Sequence, residues 1–293
     1  MKVVIPASFS WTSSILPDDY AEWSGGTSYA VGDRAVTAAS DQVWQAVQAG
    51  SGHDPVADDG TWWVEVGATD RAKPFDQTLG QVVSRPGNTS WTLTMATRAS
   101  ALAIFGIQAI SVRVEVMDGA TELYDQTHVV VDTSAIVDWW SYTTWEPDYD
   151  DQLILTDLPA VAGTDVTITF DAGGGSSGAA EIVAGYLQAL GVTQVGTEVG
   201  FDDYSTKERD EFGKLNVVQR DFSDVVTFQF AFPPEDTRRV GKILRGIRAV
   251  PSVYLADERL NDYGTVVYGI FQNFRIPLQH GLCFAELTVE GLT

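Results

Sequence analysis

The sequence predicts a mainly β protein: a small aromatic-rich β module, a β-sandwich or jelly-roll middle domain, and a C-terminal α+β domain with one main helix. Three observations predict it. Apolar residues recur at every second position in several short runs, the period at which a half-buried strand turns its side chains inward. Gly, Asp and Pro turn signals punctuate those runs. Only one stretch of the chain carries a convincing helical period.

Residues 1–20 read as an extended lead-in, with Val3 and Ile5, then Phe9 and Trp11, spaced by two and ending at the turn signal Leu16-Pro17-Asp18-Asp19. This segment is expected to add a strand to a later domain. Residues 21–73 form the module, because Trp23, Tyr29, Trp44, Trp62 and Trp63 crowd a glycine-containing stretch with almost no helical period. Residues 74–199 form the sandwich. Its runs are Trp91-Leu93-Met95, Val112-Val114-Val116 closed by Asp118-Gly119, and Val166-Ile168-Phe170, with the glycine-rich stretch 173–178 expected as a long hairpin loop.

Residues 200–293 form the third domain. The alternation Val226-Phe228-Phe230-Phe232 precedes Pro233-Pro234-Glu235-Asp236, which supplies the prolines and acids of a helix start. Val240, Ile243, Leu244 and Ile247 then fall on one helical face, and Arg238, Arg239, Lys242, Arg245 and Arg248 make the opposite side and the C-terminal half basic. Strands are expected again at 253–256, 265–274 and 282–290.

The formal charge of -22 sets a field that repels phosphate backbones and anionic lipid, so neither nucleic acid nor membrane insertion is expected. The charge is uneven. Residues 1–200 hold 26 acidic and 7 basic side chains, whereas 201–293 hold 14 and 11. A nearly neutral segment on an acidic body suits docking against other proteins, and chance asymmetry is the competing reading. Cys283 is the single cysteine, which excludes an intramolecular disulfide and a multi-cysteine zinc site. The start lacks the long apolar core of a signal peptide and no run is long enough for a membrane helix, so assembly in a cytoplasm is expected.

Trp23-x-x-Gly26-Thr27-x-Tyr29-x-x-Gly32-Asp33, followed by Val43-Trp44-Gln45-Ala46, His53-Asp54-Pro55 and Trp62-Trp63-x-x-x-Gly67, resembles the small chitin-binding-type carbohydrate-binding modules of families five and twelve. Those modules carry paired aromatics after the second strand, where this chain reads Val47-Gln48-Ala49-Gly50. The flanks Leu16-Pro17-Asp18-Asp19-Tyr20-Ala21-Glu22-Trp23 and Val66 to Asp76, with the later stretch Gly200 to Gly213, resemble tail-tip or minor tail proteins of long-tailed bacteriophages or related gene transfer agents. The resemblance implies a structural virion protein in the tail, assembled in the host cytoplasm, contacting other tail proteins and forming a homo-oligomeric ring. It also implies a host-surface glycan as an alternative partner.

Stacking of sugar C–H faces on aromatic rings is the chemistry a glycan site needs, and Trp23, Tyr29, Trp44, Trp62 and Trp63 are its candidates, although a module this small must spend most of them on its core. Exposed aromatics among Trp139, Trp140 and Trp145, with Tyr142, and the basic residues Arg238, Arg239, Lys242 and Arg245, are the candidates for protein interfaces. In a strand the adjacent Trp139 and Trp140 would point to opposite faces.

No catalytic constellation, cofactor or metal is expected. The three histidines His53, His128 and His280 fall in different units, and no G-x-S-x-G elbow occurs. Asp148, Asp150 and Asp151 read as a solvated loop rather than a hydrolase pair. Asp150-Asp151 and Asp202-Asp203 lack the alternating acidic pattern of a calcium loop.

Overall fold

The computed structural model describes residues 1–132, 136–144, 148–209, 211–256, 265–276 and 281–292. The chain is mainly β with one main helix. A ten-stranded antiparallel sheet is its backbone, running in the order Gln152–Leu155, Ala101–Phe105, Glu181–Ala189, Lys2–Pro6, Ser252–Leu255, Val266–Arg275, Cys283–Gly291, Phe222–Phe232 and Val192–Thr193, with Glu198–Asp203 also pairing with Phe222–Phe232.

The lead-in serves two sheets. Lys2–Pro6 lies between Glu181–Ala189 and Ser252–Leu255, with Val4 opposite both Leu187 and Val253. Phe9–Ser13 then crosses to a five-stranded sheet and pairs with Thr89–Met95. The ten-stranded sheet therefore runs without interruption across the expected boundary at 199/200, which falls inside the strand Glu198–Asp203.

The five-stranded sheet runs Thr121–Val129, Ser111–Asp118, Asp165–Asp171, Thr89–Met95, Phe9–Ser13. Gly119, at φ +57, supplies the left-handed residue that lets the first two strands turn back within two residues. The alternating residues of the sequence form its inner face. Trp91, Leu93, Met95, Val112, Val114, Val116, Val166, Ile168 and Phe170 are all buried against Leu102, Ile104, Ile182 and Ala184 of the larger sheet. Stretch 173–178 differs from the expected hairpin loop. The strands on either side of it belong to different sheets, so it carries the chain from one sandwich layer to the other, helped by Gly173 and Gly174 at φ +55 and +93.

The helix forms as a 3-10 turn at Pro234–Asp236 running into Thr237–Gly246. Val240, Leu244 and Ile247 sink beside Val226, Phe228, Phe230 and Phe232, so the helix and the five-stranded sheet cover the same face of the ten-stranded sheet at its two ends. The other face carries a separate cluster of Val4, Ala101, Ala103, Phe105, Val183, Val253, Leu255, Val266 and Tyr268. Strand alternation sorts neighbours between the faces: Val3 and Tyr254 lie on the helix side, and Val4 and Val253 on the other.

Trp139–Thr144 is a short α-helix rather than a strand, so Trp139 and Trp140 do not point to opposite faces of a sheet. Its start is closed reciprocally: the Ser141 N–H donates to Asp138 Oδ1 at 2.7 Å, and the backbone N–H of Asp138 donates to Ser141 Oγ at 2.9 Å.

Candidate functional site: a closed aromatic module, exposed apolar elements and an acidic cleft

The module is a three-stranded antiparallel sheet of Arg34–Thr37, Gln42–Ala46 and Trp63–Ala68. Its aromatic side chains are largely committed to one another. Trp63 is 3% exposed, meets Tyr29 edge-on and donates its indole N–H to the His53 carbonyl at 2.9 Å. Trp62 is half-buried, with the His53 ring stacked on it at 3.7 Å between centroids and 8° between planes. Trp44 donates its indole N–H to Thr37 Oγ1, and Trp23 packs against the same core with its indole nitrogen buried.

Asp58 sets the tandem tryptophans in place. Its carboxylate accepts the backbone N–H groups of Trp63, Trp62 and Gly60, which hold it below the usual carboxylate range. The hollow among Tyr29, Gly50, His53, Trp62 and Trp63 measures about 10 Å³, room for a single water and far short of a sugar ring.

The two flanks of the module are tied together at its base. Arg85 reaches Asp19 at 2.6 Å, Asp70 at 2.8 Å and Asp18 at 3.1 Å, while Lys73 pairs with Asp70. Burial and the neighbouring Asp70 push the Asp19 carboxyl up. Asp70, which burial opposes, is held down by the Lys73 ammonium and the hydrogen bond from Asp19. Arg71 pairs with Asp41, and its carbonyl accepts the Trp91 indole N–H at 2.8 Å. The module thus sits on the sandwich through the flanking segments rather than through its aromatic residues.

Just beyond, Gln77 takes a left-handed backbone, φ +64, and donates its N–H to the buried Glu181 carboxyl at 3.1 Å. The Tyr268 hydroxyl donates to the other oxygen at 3.2 Å. Burial is the main reason that Glu181 is pushed up to about 8, with the Asp76 charge adding to it and both hydrogen bonds opposing.

Two elements carry most of the exposed Trp and Phe side chains among the described residues. On the short helix, Trp139 and Trp140 are 77% and 75% exposed, and Trp139 stacks on Tyr142 at 5.6 Å. Trp145, the third candidate of this group, lies outside the described residues. The second element is a hairpin arm. From Glu198–Asp203 and Phe222–Phe232 the ladder continues as the exposed pair Thr206–Arg209 and Leu215–Val218. Phe201, Phe212 and Phe222 are 67%, 94% and 59% exposed along it.

Sequence reasoning missed this arm. An alternating apolar strand reads as a core strand whether or not another layer covers it, and only the charges interleaved at Asp202, Asp203, Lys207 and Glu208 marked it as uncovered.

Arg238, Arg239, Lys242 and Arg245 all lie exposed on the main helix. Arg239 is occupied by Asp236 at 2.9 Å and by the Ala189 carbonyl, and Arg245 donates to the Gly241 carbonyl. A cleft of about 760 Å³ opens where Leu79, Phe105, Val266, Tyr268 and Leu292 meet the root of the arm. Asp151, Asp221 and Asp224 line it and, among the described residues, no Lys or Arg does. Burial and the Asp151 charge push the Asp224 carboxyl up.

Among the described residues no cluster of His, Cys, Asp and Glu is arranged to hold a metal ion. His53 is stacked in the module and His128 in the sandwich is half-buried, its pKa lowered by burial; His280 lies outside the described residues. Comparison of the chain with models of known protein families, with curated proteins and with solved structures finds no match.

Proposed function

We propose that the chain is a structural, non-catalytic subunit of a long-tailed phage tail, at or near the tip, that holds neighbouring tail subunits. The observation that carries this reading is the concentration of the exposed Trp and Phe side chains on two elements, the hairpin arm and the aromatic helix, which among the described residues leave only Phe284 exposed elsewhere. Such surfaces are stable in a packed assembly and are an aggregation liability outside one. The fold adds to the case, since a rigid ten-stranded sheet bearing one projecting arm suits a scaffold that positions contacts.

The phage context comes from the flanks of the module and the stretch 200–213. Those flanks make the Asp19, Asp70 and Arg85 network that seats the module, which gives their residue types a structural purpose. In this reading the module is displayed outward, and the subunit joins a homo-oligomeric ring in the virion after assembly in the host cytoplasm.

Electron microscopy of the parent particle decorated with antibody against residues 21–70 tests it. Label at the distal end of the tail is the expected result. Intact particles that carry no label would remove the virion reading.

A further inference from the structure

The chain holds 18 Lys and Arg residues, and five of them fall within 238–248. On the helix, Arg238, Lys242 and Arg245 follow one another at intervals of four and three and form a single stripe. Arg239 is neutralised by Asp236, but among the described residues no carboxylate pairs with Arg238 or Lys242. This is a dense cationic ridge on a strongly acidic molecule.

Its counterpart is the acidic cleft. Asp151, Asp221 and Asp224 lie around apolar walls that include Leu79, Phe105 and Val266, and among the described residues no cation lines them. That pattern suits long cationic side chains, whose methylene stems lie along apolar surface while their heads meet carboxylates. The apolar walls desolvate the Asp224 carboxyl and the Asp151 charge adds to this, and both raise it.

Ridge and cleft cannot meet within one copy. The helix is fixed through Val240, Leu244 and Ile247 to one face of the ten-stranded sheet, whereas Phe105 and Tyr268 at the floor of the cleft belong to the cluster on the other face. From this charge complementarity on opposite faces we infer that copies of the chain associate head to tail, the Arg238–Lys242 ridge of one entering the Asp151–Asp221–Asp224 cleft of the next. The contact is heterologous, so repeating it closes a ring or extends a stack. This inference rests on the assembly reading and names the surfaces that one copy uses for another.

Sedimentation velocity of the full chain tests it. The wild type associates with concentration, and the association weakens as salt rises from about 0.1 M to about 1 M, which shortens the screening length from about 10 Å to about 3 Å. Arg238→Glu with Lys242→Glu in one chain, and Asp151→Lys with Asp221→Lys in another, each reduce the association constant by about 100-fold or more.

An equimolar mixture of the two variants recovers association, because the intact ridge of one fits the intact cleft of the other and their reversed surfaces, a Glu ridge and a Lys cleft, are complementary in turn. That recovery also shows both variants to be folded. A wild type that stays monomeric at every concentration would overturn the inference, as would variants that associate like the wild type. If association survives charge reversal but is lost in Phe201→Ser with Phe222→Ser, the pairing proposed here fails while the assembly reading stands.

Discussion

At the scale of the residue, Glu181 shows how a single buried carboxyl marks a joint. It lies on the strand Glu181–Ala189 beneath the connector that follows the module, and it accepts Gln77 N–H and Tyr268 O–H. The unfolded chain loses this proton near the ordinary value of 4.5, whereas the folded chain keeps it to about 8. Stability therefore falls as pH rises between those limits, by an amount on the order of 5 kcal/mol at most. Glu181→Gln keeps an acceptor and a donor without the charge. Chemical denaturation from pH 5 to pH 9 is expected to give a slope over this window that the variant removes, with the variant the more stable at pH 9. Trp63 is a residue of another kind: in the core of its module, Trp63→Ala is expected to cost about 3–5 kcal/mol. Hydrogen exchange checks this, because protection over 34–68 is lost while the sandwich strands keep theirs.

At the scale of the element, the module behaves as a unit pinned at its base. Arg85 ties Asp18 and Asp19 before it to Asp70 after it. Arg85 is a quarter exposed, so Arg85→Ala is expected to loosen the base by only about 1–2 kcal/mol. Proteolysis between residues 68 and 84 then quickens about tenfold or more, with the sandwich unaffected. The hairpin arm makes the opposite prediction. Phe201 and Phe222 touch each other edge-on but are both exposed, so Phe201→Ser with Phe222→Ser is expected to change the melting free energy by less than about 1 kcal/mol. Its effect falls instead on association and solubility, read by sedimentation and light scattering.

The elements also show what a sequence can and cannot say. The inward residues of Thr89–Met95, Ser111–Asp118 and Asp165–Asp171 were legible because one face is buried and the other solvated, which leaves a clean period of two. The main helix was legible from its prolines, its acids and the spacing of Val240, Leu244 and Ile247. The tandem Trp139-Trp140 was misplaced in a strand because the cap formed by Asp138 and Ser141 is short and local, and it outweighs the weak strand preference of two aromatic residues. The five module aromatics pointed to a sugar platform and to a core equally well. Only the stacking of His53 on Trp62 and the closed hollow beside them show how the space is used.

At the scale of the whole molecule, the lead-in was legible as a strand for a later domain, but the strands it joins, and the single sheet they make across both ends of the chain, were not. Lys2–Pro6 pairs with strands about 185 and 250 residues away, and the N-terminal ammonium donates to the Gly191 carbonyl at 2.6 Å. Pairing at such separations leaves no local pattern, because an edge and a central strand share the same alternation. The lead-in strand is central here, so removing residues 1–7 is expected to abolish the cooperative thermal transition of the entire chain rather than trim one end.

The claim that binds these scales is that the arm and the aromatic helix are surfaces for other tail subunits. Cross-linking mass spectrometry on purified tailed particles tests it directly. The account predicts links from residues 192–222 and 136–144 to other subunits, with links inside the sandwich unchanged from the free chain. A chain present in the particle whose arm and helix give only the links seen in isolation, or a chain absent from the particle, would contradict it.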